Sequence, residues 1–165
     1  LQKENDMRIA DIMSRPAATC RPDESTQEAA RLMWECDCGA VPVVQDDGTI
    51  AGIVTDRDIC MAAYTRGERL RDIRVVDAMS RVVFTVHPDT PLEEAEQLMA
   101  NKQIRRLPIV DGQNRPIGIV SLGDVVRHVM GRADGGRGAK GDHAARTLAE
   151  ISRPRPSGHA PAPGI

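Results

Sequence analysis

Gly52-Ile53-Val54-Thr55-Asp56-Arg57-Asp58 returns 66 residues later as Gly118-Ile119-Val120-Ser121-Leu122-Gly123-Asp124. In both copies a β-branched run passes straight into a Thr/Ser-x-x-Asp spacing of the kind that opens a helix. The match extends outward at the same offset. Val41-Pro42-Val43-Val44 pairs with Leu107-Pro108-Ile109-Val110, and Asp11-Ile12-Met13-Ser14-Arg15 with Asp77-Ala78-Met79-Ser80-Arg81. Laid together, residues 11–59 and 77–125 agree at 17 of 49 positions, against about three or four expected from ordinary composition. The chain is a duplicated unit kept in register through every turn. Twin units predict packing about a pseudo-twofold axis, with two related binding sites in the cleft between them.

Each copy reads as the same series of elements. A helical turn at 9–13, and again at 76–79, precedes a short extended piece holding Thr19 or Thr85. Ser25-x-x-Glu28 and Thr90-x-x-Glu93 have capping-box spacing, with Pro91 suited to a first helical position, so a helix follows. Ala29, Leu32 and Met33 recur as Ala95, Leu98 and Met99 at helical spacing and read as core. Residues 40–45 and Ile50–Thr55 form β-rich runs around the turn signal Asp46-Asp47-Gly48, and Arg106–Val110 with Pro116–Ser121 repeat the hairpin. A last helix starts at Thr55 or Ser121. The order is β-α-β-β-α twice, an α+β fold with domains at 7–66 and 73–131 and a linker between them. Residues 132–165 turn to Gly, Pro and Ala and read as a flexible tail, with one or two helical turns within 143–151. Gly135-Gly136-Arg137-Gly138 follows no strand and lacks the Gly-Lys-Ser/Thr of a phosphate loop.

Composition excludes several functions. Two units of about 60 residues are each marginal alone, so the halves are expected to share a core. Trp34, Tyr64 and Phe84 are the only aromatic residues, and the net charge is -2. A chain without stacking platforms or a basic footprint does not suit nucleic acid. No apolar run approaches the roughly 18 residues needed to span a bilayer, and the polar start is not signal-like, so a cytoplasmic protein is expected. Leu1 to Asp6, ahead of Met7, read as an expression remnant and are set aside. Cys20, Cys36, Cys38 and Cys60 all fall in the first repeat, without cysteine counterparts in the second, and read as reduced thiols. Cys36-x-Cys38 lacks CxxC spacing and a second ligand pair, and His87 and His128 have no partners at metal-ligand spacing, so no metal site is expected.

Chemistry concentrates at the strand-to-helix junctions. A glycine permits close backbone approach, a helix start offers unpaired N–H groups to an anion, and a first-turn carboxylate accepts two hydrogen bonds from a ribose cis-diol. The same spacing also describes a capping box that only satisfies the helix's own amides. The ordered motifs Asp-Ile-Met-Ser, Thr-Cys-Arg-Pro-Asp, Gly-Ala-Val-Pro-Val-Val and Gly-Ile-Val-Thr-Asp-Arg-Asp-Ile, echoed once, resemble a tandem cystathionine-β-synthase (CBS) domain pair, or Bateman module, of the stand-alone bacterial kind. The resemblance covers about residues 7–130. It implies two β-α-β-β-α units joined through their sheets, commonly dimerising into a flat disk with clefts for adenosine-containing ligands. It further implies that Thr55 with Asp58, and Ser121 with Asp124, hold ribose and phosphate. Adenine would lie against Ala40 and Val41 in one pocket and Arg106 and Leu107 in the other, with Thr19 and Thr85 nearby. Arg105-Arg106 stands opposite Gly39-Ala40, and Arg57 opposite Gly123, so phosphate recognition is expected to make the two sites unequal; alternatively these arginines pair with surface acids or stay solvated.

No metalloprotease motif, nucleophile elbow or dinucleotide fingerprint is present, and a non-enzyme is expected. The reading that leads is a regulatory module that binds an adenine nucleotide, AMP or ADP before ATP, changes geometry, and signals as a homodimer to an unidentified effector protein in trans. It requires no cofactor: the nucleotide is a regulatory ligand. Two alternatives stay open, a ligand-independent dimerisation scaffold and a pocket for S-adenosylmethionine, a dinucleotide or a metal.

Overall fold

The computed structural model of the chain describes residues 7–131. The tail expectations, including the turns within 143–151, lie outside the described residues. The first repeat supplies helix α1 (Thr26–Glu35), strands β1 (Ala40–Val44) and β2 (Ile50–Thr55), and helix α2 (Asp56–Arg66). A one-turn helix α3 (Val75–Ala78) opens the second repeat, followed by α4 (Leu92–Lys102), β3 (Arg106–Val110), β4 (Pro116–Ser121) and α5 (Leu122–Gly131). A 3-10 turn at Ile9–Asp11 stands where α3 stands in the other copy.

The two antiparallel hairpins share one register. Ala40 faces Thr55 as Arg106 faces Ser121, and the register slips at the same place, between Val43 and Val44 and between Ile109 and Val110. Each turn is held by an aspartate. Asp47 Oδ1 accepts from Thr49 N at 2.9 Å and Thr49 Oγ1 at 2.7 Å, and Asp111 Oδ1 from Gln113 N at 2.9 Å and Arg115 N at 3.0 Å. Gly48 and Asn114 take the left-handed conformation these turns require, at φ 83° and 60°.

The opening segment of each repeat docks on the other. Ser14 and Ile119 exchange backbone bonds of 2.9 and 3.1 Å, and Ser80 and Ile53 exchange bonds of 2.9 and 3.0 Å. Further out, Ile9 N donates to Thr90 O and Leu92 N to Met7 O, mirrored by Val75 N to Glu24 O and Thr26 N to Ile73 O. Gly52 and Gly118 make this crossing possible. A Cβ at Gly52 would sit 2.8 Å from Ser80 O, and one at Gly118 would sit 2.8 Å from Ser14 O. The motif glycines therefore admit the crossing strand rather than a nucleotide.

The single shared core expected from size resolves into two clusters, each completed by the exchanged segment. Ile9, with Ile12 and Met13 against it, joins Met99, Leu107, Ile109 and Val120 of the second repeat. Val75, with Ala78 and Met79, joins Ala29, Val41, Val43 and Val54 of the first. Three local expectations shift. The extended pieces near Thr19 and Thr85 touch their sheets through single bridges, Cys20 to Val43 and Val86 to Ile109, rather than as full strands. Pro91 is the cap of α4, not its first residue. Thr90 does not cap it, because its Oγ1 accepts from His87 N at 3.0 Å and its carbonyl is taken by Ile9 N. Ser25 does cap α1, accepting from Glu28 N at 3.3 Å, while Glu28 turns to Arg31 instead of closing a box.

Candidate functional site

Both strand-to-helix junctions form complete capping boxes. Asp58 Oδ2 accepts from Thr55 N at 2.9 Å and Thr55 Oγ1 at 2.7 Å, while Asp58 N donates to Thr55 Oγ1 at 3.2 Å. Asp124 Oδ2 accepts from Ser121 N at 2.7 Å and Ser121 Oγ at 2.6 Å, and Asp124 N donates to Ser121 Oγ at 3.2 Å. The cap therefore uses one carboxylate oxygen and leaves the second for another partner. At Asp124 that partner is Arg127 Nη2, one helical turn on.

A cavity of about 240 Å³ opens beside the second box. Its walls come from both repeats. Ser121, Asp124 and Arg127 of β4 and α5 form one side, Ala40 and Pro42 of β1 another, and Ser14, Ala17 and Ala18 of the exchanged segment a third. Cys36, Cys38 and Gly39 lead into β1 along its rim, and Arg106 enters from β3. The absence of a side chain at Gly39 gives the Arg106 guanidinium room, since a Cβ there would displace it and lie 2.9 Å from Asp56 Oδ2. Arg106 thus lies across the start of β1 in the opposite repeat. Burial raises the Cys38 thiol above its ordinary pKa, and the positive charge of Arg106 acts in the opposite direction.

Four of the residues expected at two separate pockets, Ala40, Arg106, Ser121 and Asp124, converge on this one cavity. Ala40 and Arg106, expected at separate pockets, both line this cavity, where the Arg106 guanidinium reaches Gly39 at the start of β1. Val41 and Leu107 are 0% exposed and belong to the two cores, so their side chains are closed to a ligand. Thr19, Arg57 and Arg105 are exposed and Thr85 is half-buried; none of them, nor Thr55 and Asp58, lines this cavity. The exchanged segment and Arg127 were missed from sequence. The available signals were the Ala17-Ala18 pair opposite Val83-Phe84, which leaves room in one copy where the other is bulky, and an arginine three residues beyond Asp124 where the first repeat has Met61.

The four cysteines are free, and among the described residues no group of three or more His, Cys, Asp or Glu is placed to hold a metal ion. No described helix is long and apolar enough to cross a membrane.

Comparison with known proteins places this geometry. The CBS domain model matches twice, at residues 9–64 and 70–131. CBS domain-containing protein YhcV of Bacillus subtilis is 43% identical over 128 residues, spanning 78% of this chain and 89% of that protein. Among solved structures, the CBS domain pair of protein MJ0100 in complex with 5′-methylthioadenosine and S-adenosyl-L-methionine superposes with a TM-score of 0.67 at 30% identity, covering 74% of this chain and 98% of that one. CBSX2 in complex with AMP superposes with a TM-score of 0.65 at 29% identity, covering 76% and 97%. Two matched domains, a duplicated α+β unit and reciprocal docking agree: the chain belongs to the CBS-domain family, as a tandem pair.

Proposed function

We propose that the chain is a non-catalytic cytoplasmic regulatory module that takes an adenosine-containing nucleotide, AMP or ADP before ATP, between its two repeats. The observation that carries this reading is the convergence of Ser121, Asp124 and Arg106 on one cavity floored by alanines. A carboxylate at a helix mouth accepts from a ribose diol, the Arg106 guanidinium suits phosphate, and the small side chains of Ala17, Ala18 and Ala40 admit a planar base. The related CBS pairs solved with AMP and with S-adenosylmethionine support the ligand class.

At about 240 Å³ the cavity lies just under the roughly 300–1,000 Å³ of ordinary ligand sites. A bound nucleotide has to spread the walls, which belong to different repeats. That gives binding its handle on shape: the ligand shifts the repeats by as much as it favours the wider arrangement. The signal then passes to an effector protein in trans, and a homodimer is the expected carrier. Trp34, Met61 and Tyr64, exposed on α1 and α2 of the first repeat, are the kind of apolar surface a second copy would cover.

A thermal-shift series tests the reading. AMP, ADP, ATP and S-adenosylmethionine are added to the full chain, with GMP as control, and an adenine-dependent rise in melting temperature is expected. No rise with any of them supports the ligand-independent scaffold, in which the boxes only cap helices.

A further inference from the structure

The nucleotide reading above is the footing for one further step. We propose that Arg127 is a phosphate-operated latch on Asp124, and that it makes the cleft prefer phosphorylated nucleosides over unphosphorylated ones.

Both oxygens of Asp124 are engaged by the chain's own groups. Oδ2 belongs to the capping box with Ser121, and Oδ1 accepts from Arg127 Nη2. A ribose diol arriving at this carboxylate has to compete with the guanidinium for Oδ1. The first repeat carries no such competitor. Met61 stands in place of Arg127, and among the described residues Asp58 Oδ1 accepts no bond. The latch therefore belongs to one junction, and that junction lines the cavity.

Arg127 is held lightly. Its side chain is 75% exposed while that of Asp124 is 12% exposed, so the pair has one partner in water and is weakly bound. A phosphate offers the guanidinium a better partner, with up to two negative charges and two oxygens in the spacing of its paired N–H donors. Arg106 borders the same cavity, so the phosphate of a ligand meets positive charge from β3 as well as from α5. As Arg127 moves to the phosphate, Asp124 Oδ1 is released to the ribose. No covalent bond changes. An unphosphorylated nucleoside has to break the same pair with nothing to give Arg127 in return.

Calorimetric titration of the full chain with AMP and with adenosine, for the wild type and for Arg127→Met, tests the latch. The variant copies the residue of the first repeat, and its site is exposed, so folding is checked simply by an unchanged melting curve. Wild type is expected to favour AMP, and Arg127→Met to bind AMP more weakly and adenosine more tightly, so that the preference falls by about tenfold or more. Arg127→Lys, which keeps the charge without the paired donors, should fall between them. Equal changes for both ligands, or an unchanged ratio, overturn the latch while leaving nucleotide binding intact. If wild type binds neither ligand, the nucleotide reading itself fails, and the latch with it.

Discussion

At the scale of single residues, the glycines of the Gly-Ile-Val motifs make the sharpest case. Because a methyl at Gly118 or Gly52 would press on the carbonyl of Ser14 or Ser80, Gly118→Ala and Gly52→Ala should each cost about 1–3 kcal/mol in chemical denaturation. Gly112→Ala, which meets nothing within 4 Å, should change stability by less than about 0.5 kcal/mol. These glycines were legible in the sequence as positions needing close approach, but not what approaches. The partner is 104 residues away in one copy and 28 in the other, and no local pattern encodes that distance. Thiol chemistry gives a second test. Cys20 is buried and its pKa is pushed up to about 12 by desolvation and by the nearby Glu24, so maleimide should leave it untouched in the native state while modifying the exposed Cys36 and Cys60. Saturating AMP should slow the modification of Cys36, which borders the cavity, and leave the rate at Cys60 unchanged. Equal rates at Cys36 with and without AMP would place the ligand elsewhere.

At the scale of elements, the hairpins and their following helices were readable because their determinants are local. Alternation, an aspartate-held turn and a Thr/Ser-x-x-Asp box all lie within a few residues of the structure they specify. The start of α4 was misread for the opposite reason: Ile9, from the other end of the chain, bonds to the Thr90 carbonyl and fixes the backbone one residue from where the local pattern puts it. The turns also carry an acid sensitivity. Hydrogen bonds from Thr49 hold the Asp47 carboxyl below its ordinary value, and backbone amides of Arg115 and Gln113 do the same for Asp111. A depressed carboxyl contributes stability that is present above its unfolded value of 3.8 and is lost as pH falls through the lower folded value. Melting temperature should thus drop more between pH 5 and acid below about 3.8 for wild type than for an Asp47→Ala, Asp111→Ala double variant. Equal acid losses would show that the turn carboxylates do not contribute.

At the scale of the whole molecule, duplication was plain in the sequence, and the exchange of opening segments was not. Twofold packing follows from two copies in register, but which copy's first turn fills which core depends on the path of the linker. The exchange predicts that residues 7–66 and 73–131 made separately each lack part of a core, Val75 and Met79 in one case and Ile9 and Met13 in the other. Neither half should melt cooperatively alone, and an equimolar mixture should recover a cooperative transition; a cooperative melt from either half alone would contradict the exchange. The same crossing builds the cleft, since it brings Ala17 and Ala18 of one repeat against Ser121 and Asp124 of the other. The most direct test of the account is therefore a crystal structure of the full chain grown with AMP. The account predicts the nucleotide in the cavity between Ala40 and Ser121, with its ribose hydroxyls donating to Asp124 and its phosphate met by arginine. A nucleotide bound at another surface, or a cavity left to its own side chains with Asp124 serving α5 alone, would contradict it.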